Sequence, residues 1–169
     1  MRLPRVNQGG LLTKKIIPAK YLSMRIYLDH CAYNRPFDDQ SNIKNQLETV
    51  AKLYIQDQIK QGKYELVWSY MSDFENSNNP YIENKKSIQL WENMAKHKCK
   101  SSEKIFSHGK KIEQRGIRAN DALHIACAVE SQCEYFITTD TGLTSKKIEE
   151  IKIINPVDFV RKMEEQNEN

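Results

Sequence analysis

No run in this 169-residue sequence approaches the roughly 20 apolar residues that a membrane-spanning helix requires, which excludes an integral helical membrane protein. A secretory signal is also missing: Leu11-Leu12 and Ile16-Ile17 are split by Thr13-Lys14-Lys15, leaving no continuous apolar region. Cysteine is scarce. Cys31, Cys99, Cys127 and Cys133 form no CxxC pair and no Cys/His pattern of a zinc site, so they read as reduced thiols of a cytoplasmic protein. The chain has six glycines, but no glycine-rich phosphate loop and no dinucleotide fingerprint. Internal repeats are absent.

Acidic residues are missing from positions 1–23, which carry Arg2, Arg5, Lys14, Lys15 and Lys20. Positions 24–169 hold 21 basic and 22 acidic residues, a net of −1, so the formal charge of +4 belongs to the leading segment. It is weak support for a nucleic-acid-binding body. Residues 1–23 have no convincing periodicity and are expected to be a flexible basic N-terminal extension, either a plain one or an arm touching RNA or a partner. Met24-Arg25, directly before a strand pattern, looks like an alternative start. At this length, with 39% apolar residues, one domain is expected over 24–163, with a polar C-terminal tail over 164–169.

Strand and helix patterns alternate along the body. Ile26-Tyr27-Leu28 is a compact apolar run that Asp29 closes. After the turn chemistry of Arg35-Pro36-Phe37-Asp38-Asp39, whose aspartates readily cap a helix, Ile43, Leu47, Val50, Ala51, Tyr54, Ile55 and Ile59 recur at helical spacing. Tyr64 to Trp68 reads as a second strand, and Ser69 as the cap of a helix interrupted near Asn78-Asn79-Pro80. A helical pattern follows over 82–97, and the lysine-rich segment 98–115 is expected to be helical up to Gly116. A helix starting near Asp121, capped by Asn120, leads to the strand Tyr135 to Thr139, which ends at Asp140. A short helix or turn, the strand Lys152-Ile153-Ile154 and a helix opened by Pro156 complete the chain. Such alternation predicts an α/β fold: a mainly parallel central sheet covered on both faces.

Direction then places the chemistry. A helix of about a dozen residues descends roughly as far as the next strand climbs back, so Asp121 and Asp140 return to one edge. That edge lies outside the carboxyl ends of the strands, where open α/β sheets bind ligands. Asp29 ends the first strand and Glu75 opens the helix after the second, so both belong there too. Each acid alone has an ordinary role as a turn, cap or surface residue. Four together would repel one another unless a cation neutralised them, and hard oxygen donors suit Mg²⁺ or Mn²⁺. Such ions generate a nucleophilic hydroxide and stabilise a phosphodiester under attack.

Met24 to Asp39, Ser69 with Glu75 six residues on and Asn79-Pro80 after it, Ala119-Asn-Asp-Ala-Leu-His-Ile-Ala126 and Phe136-Ile-Thr-Thr-Asp140 resemble the motifs of PIN-domain proteins, in that family's order over roughly 24–160. The nearest branch resembles the VapC-type ribonuclease toxins of prokaryotic toxin–antitoxin pairs. The resemblance implies a three-layer α/β/α PIN-like domain and a Mg²⁺- or Mn²⁺-dependent endoribonuclease acting on RNA, often held by a cognate antitoxin protein and often a homodimer. Asp29, Glu75, Asp121 and Asp140 match the family's acidic quartet of metal ligands and water activators. Asp73 competes with Glu75, but two helical residues apart they face nearly opposite ways, and the offset from Ser69 favours Glu75. Cys31 replaces the Ser, Thr or Asn common two residues after the first acid, and Thr141-Gly142-Leu143 offers no fifth acid. Thr139 could contribute a hydroxyl.

Other readings weigh less. Cys31 beside His30 suggests a thiol hydrolase, but strand neighbours point apart and no orienting third group is evident. His124 lies three residues after Asp121, within reach of the cleft or of an ordinary partner, and Asn34 and Arg35 sit in the loop after the first strand. An aspartyl phosphotransferase would want a second Asp where Cys31 stands. A catalytically weak or inactive PIN-like domain that binds RNA or protein is the alternative to the enzyme. Lys96, Lys98, Lys100, Lys104, Lys110 and Lys111 form either a substrate patch or a solvated face.

Overall fold

A computed structural model describes residues 23–169. Of the expected basic extension only Ser23 falls among them; positions 1–22 lie outside the described residues. Five short strands form one sheet: β1 (Met24–Leu28), β2 (Tyr64–Ser69), β3 (His97–Cys99), β4 (Tyr135–Ile137) and β5 (Lys152–Ile154). Their order is β3-β2-β1-β4-β5 and every neighbouring pair runs parallel, with Ile26 opposite both Leu66 and Tyr135.

The apolar run Ile26-Tyr27-Leu28 sits at the centre because both faces of β1 are covered, and alternation sends successive side chains into two cores. Tyr27, Val67 and Phe136 pack with Ile112, Ile125 and Cys127 under helices α5 (Glu103–Glu113) and α6 (Ala119–Glu130). Ile26, Leu28, Leu66 and Trp68 pack on the other face with Tyr33, Ile55, Ile88 and Phe159. Those residues come from α1 (His30–Asn34), α2 (Ile43–Lys60), α4 (Ile82–Gln89) and α8 (Pro156–Asn167). Helix α3 (Tyr70–Ser77) follows β2 and the single turn α7 (Thr141–Thr144) follows β4. The result is a three-layer α/β/α domain. Burial of one such Phe or Ile contributes about 1.5–3 kcal/mol. Among the described residues no helix is long and apolar enough to cross a membrane.

One close approach marks where α5 meets α6. A Cβ on Gly109 of α5 would stand 2.8 Å from Leu123 Cδ2, so the absent side chain leaves room for Leu123.

Local structure departs from the sequence expectations at several places; the helix of 82–97 ends at Gln89 and the strand from Tyr135 ends at Ile137. His97–Cys99 is a strand within a segment mostly read as helix; it carries no apolar run and forms by pairing with the free edge of β2, Val67 opposite His97, aided by His97 Nε2 2.6 Å from Glu65. Helix α5 therefore begins only at Glu103, capped by Ser102, whose Oγ accepts the Ile105 N–H. Helix α6 starts at Ala119 with Arg118 as its N-cap, which puts Asn120 inside the first turn. Asn42, accepting the N–H of Lys44, caps α2 in place of the aspartates. Positions 164–167, within the expected polar tail, continue α8 as an exposed turn in which Glu164 accepts the Tyr54 hydroxyl.

Candidate metal centre

Strand β1 leads on to β2 at one side and β4 to β5 at the other, so the chain diverges between the carboxyl ends of β1 and β4, a topological switch point. Asp29 stands there. Its backbone N–H donates to Ile137 O at 2.9 Å, and its Oδ1 caps α1 by accepting the His30 N–H at 2.8 Å. The other oxygen, Oδ2, accepts the Thr138 hydroxyl at 2.7 Å and the Cys31 thiol at 3.2 Å. Asp29 is only 6% exposed.

Cys31 thus supplies the hydrogen bond that a Ser or Thr would supply. Burial, helped by the nearby Asp29, pushes its thiol up to about 12, so it stays protonated and donates. Thr138 makes the contact expected of Thr139, whose buried Oγ1 has no hydrogen-bond partner. Thr138 Oγ1 also accepts the Asp140 N–H at 3.1 Å, tying two acids together. Period two carried the signal: Thr138, not Thr139, shares a side of the extended chain with Asp140.

Glu75 is placed by α3, which Ser69 caps through the Ser72 N–H at 3.2 Å, within a reciprocal capping box. Asp73 faces elsewhere, accepting the Trp68 indole N–H at 2.9 Å and the Gln89 amide at 3.0 Å. Opposite Glu75 lies His124, with Nε2 3.1 Å from Glu75 Oε1 but not aligned as a hydrogen bond. Its Nδ1 is 2.6 Å from the Tyr27 hydroxyl, itself 2.5 Å from Ser69 Oγ. Burial works against a charged His124, yet Glu75, Asp29 and Asp121 outweigh it and hold the imidazole above its ordinary value. Burial likewise pushes Glu75 up, and His124, His30 and Arg118 together bring it below the usual range. Asp29, Glu75 and His124 offer ligand atoms that all lie within 4.8 Å of one another.

The remaining two acids meet through a residue that motif reasoning missed. Arg118 donates from Nε to Asp121 Oδ2 at 2.9 Å and from Nη2 to Asp140 Oδ2 at 3.1 Å. Asp140 Oδ1 caps α7 by accepting the Gly142 N–H at 2.7 Å. Burial, with Asp29 and Asp140 close by, keeps Asp121 above the ordinary carboxylate range although Arg118 pulls it down. Asp121 and Glu75 line one depression. The four acids therefore share an edge as two subgroups: Asp29 and Glu75 with His124, and Asp121 and Asp140 across Arg118. Only an Arg three residues before an acid at a helix start hinted at Arg118, and its reach to Asp140 is a tertiary contact.

A buried carboxylate, a half-buried one and an imidazole nitrogen with no aligned partner are a donor set that could hold a divalent metal ion. The orientation of His124 by the Tyr27 hydroxyl at its other nitrogen is what a metal-ligating imidazole requires. Three of the six lysines noted in the sequence are engaged away from this edge: Lys96 with Glu65, Lys98 with Glu92 and Lys104 with Glu130.

No protein-family model matches this sequence, and no curated protein matches it. Among solved structures, the chain is similar to the crystal structure of VapBC2 from Rickettsia felis bound to a DNA fragment from their promoter, with a TM-score of 0.47 and 18% identity over 78% of this chain and 98% of that one.

Proposed function

We propose that this chain is a Mg²⁺- or Mn²⁺-dependent endoribonuclease, the toxin of a toxin–antitoxin pair, with Asp29, Glu75, Asp121 and Asp140 as its metal-binding acids. One observation carries the reading: at the switch point of a parallel sheet, Asp29, Glu75 and His124 bring ligand atoms within 4.8 Å, beside an Asp121 that burial and its fellow carboxylates push up. A group of this kind favours a cation. A bound divalent ion would supply a nucleophilic hydroxide and offset charge on the phosphodiester. Thr138 and Cys31 fix the orientation of Asp29, and Arg118, once released from Asp121 and Asp140, is placed to meet a phosphate. His124 is an additional nitrogen donor, which leans the site toward Mn²⁺.

The partner assignment, a cognate antitoxin and a second copy of this chain, rests on the motif resemblance and on α2. There Ile43, Leu47 and Val50 leave an apolar stripe more than half exposed at helical spacing. One observation favours a second reading, an RNA- or protein-binding module with a disabled site: Arg118 already neutralises Asp121 and Asp140.

Incubation of purified protein and its Asp29→Asn variant with a panel of structured RNAs, in Mg²⁺, in Mn²⁺ and in EDTA, separates the two. Cuts that require metal and vanish in the folded variant support the nuclease. Absence of cleavage together with absence of saturable metal binding supports the module.

A further inference from the structure

We infer that the cleft on the Glu75 side of the acids is a pocket for one unstacked base of single-stranded RNA, and that the groove runs from this pocket across the acids and Arg118 to Lys146. The inference rests on the ribonuclease reading and adds the form in which substrate is held.

The cleft has a volume of about 460 Å³, within the range of small-ligand sites. Three aromatic rings stand at it largely in solvent: Phe37, Phe74 and Tyr81 are 46%, 50% and 68% exposed. Exposed rings gathered round a cavity mark a binding surface. The rest of the wall is mainly carboxamide. Asn34 and Asn79 are bonded to each other, whereas the side chains of Asn84 and Asn120 make no hydrogen bond to the described residues. Among the described residues no leucine, isoleucine, valine or methionine lines it. An amphipathic helix of a protein partner lays a continuous apolar face into a hydrophobic groove, whereas this wall is polar between its rings. Flat rings for stacking and free amides for hydrogen bonding to a base edge suit a nucleobase. A base reaches such a pocket only when out of its stack, so the ligand is a single-stranded segment.

Continuity with the acids gives the direction. Glu75 and Asn120 line both this cleft and the middle depression that holds Asp121 and Arg118. Asp121 and Arg118 in turn line a third depression with Asp140 and Lys146. Base pocket, the acids with Arg118 among them, and Lys146 thus follow one another as a base, a scissile phosphate and a neighbouring phosphate would.

The test is titration of ¹⁵N-labelled protein, held in EDTA so that no cleavage is needed, with the four nucleoside 5′-monophosphates and with mixed-sequence hexaribonucleotides. The expected result is movement of the Asn84 and Asn120 side-chain amide signals. In parallel, Phe74→Leu should weaken hexamer binding by about 5- to 150-fold, the range for loss of one base–aromatic stack. In Mn²⁺ the same variant should raise KM with little change in kcat. Signals that move only around Arg118 and Lys146 for every ligand, or unchanged affinity in Phe74→Leu, would overturn the pocket while metal-dependent cleavage by wild type keeps the ribonuclease reading. Movement at Asn84 and Asn120 without cleavage under any condition would uphold the pocket and remove the ribonuclease. A protein partner that protects Phe74 and Tyr81, with no RNA bound, would overturn the pocket outright.

Discussion

Asp29→Asn separates ligand charge from packing, because the two side chains have nearly the same shape. The Asn oxygen can keep accepting the His30 N–H that caps α1, which turns the amide nitrogen toward Thr138 and Cys31. Thr138 Oγ1 already receives the Asp140 N–H, so its proton loses its acceptor and must turn away. The Thr138 hydroxyl and the weaker Cys31 thiol both lose a charged acceptor, and the hydroxyl dominates a cost of about 1.5–3 kcal/mol. Relief of the repulsion that reaches Asp121 offsets this by on the order of 1 kcal/mol. The metal-free variant should therefore lose about 0.5–2 kcal/mol, which at roughly 2–4 °C per kcal/mol lowers Tm by about 1–8 °C. Metal gives the contrast. A ligand at a hundredfold excess over its Kd stabilises by about 2.7 kcal/mol, so Mn²⁺ should raise the wild-type Tm by about 5–11 °C relative to EDTA. If the variant's Kd is a hundredfold weaker, the same Mn²⁺ adds only about 0.4 kcal/mol and a degree or two. Scanning calorimetry of both proteins in EDTA and in Mn²⁺ reads all four values. Equal rises in the two proteins, or none in wild type, would refute the metal-centre argument.

Arg118→Ala removes the cation bridging Asp121 and Asp140, and isothermal titration should show tighter Mn²⁺ binding; weaker or unchanged affinity would mean that the guanidinium does not compete for the site. Lys52 is 5% exposed, and burial lowers its pKa from 10.5 to about 7. Since the folded value lies below the unfolded one, the folded state holds fewer protons between about pH 7 and 10.5, so stability rises with pH through that window and the full cost stands below pH 7. Lys52→Met should stabilise the protein most at pH 6, with the advantage narrowing by about 2–3 kcal/mol at pH 9, and denaturant unfolding at both values checks this. Tyr27→Phe deletes the hydroxyl shared by His124, Ser69 and Ser72, leaving buried groups unpaired; a loss of about 1–3 kcal/mol and weaker Mn²⁺ binding are expected, and a variant as stable as wild type would show that the hub contributes nothing.

The alternation of strands and helices and the placement of four acids at one edge were legible in the sequence because each follows from patterns local to single helices and strands. Apolar periodicity reports which face is buried, and the rise of helix and strand then dictates where a chain segment returns. Even the hydrogen bond at Asp29 left a local trace, since Cys31 stands two residues on.

Tertiary structure alone decided the rest, through contacts between separate elements. His97–Cys99 lacks any strand signature and becomes β3 because β2 presents an unpaired edge. Trp68 and Gln89 hold Asp73 away from the cleft, leaving Glu75 to face His124, a residue 49 positions later that Tyr27 orients from β1. Thr138, 109 residues from Asp29, joined the site only once the sheet order brought β1 beside β4, and Arg118, spanning Asp121 and Asp140, only once the start of α6 met the end of β4. Sequence determines which chemistry can be carried to an edge, because local geometry is short-ranged. Which hydroxyl, imidazole or guanidinium then touches each acid depends on how separate elements pack, and that is fixed by the shape of the core rather than by any spacing along the chain.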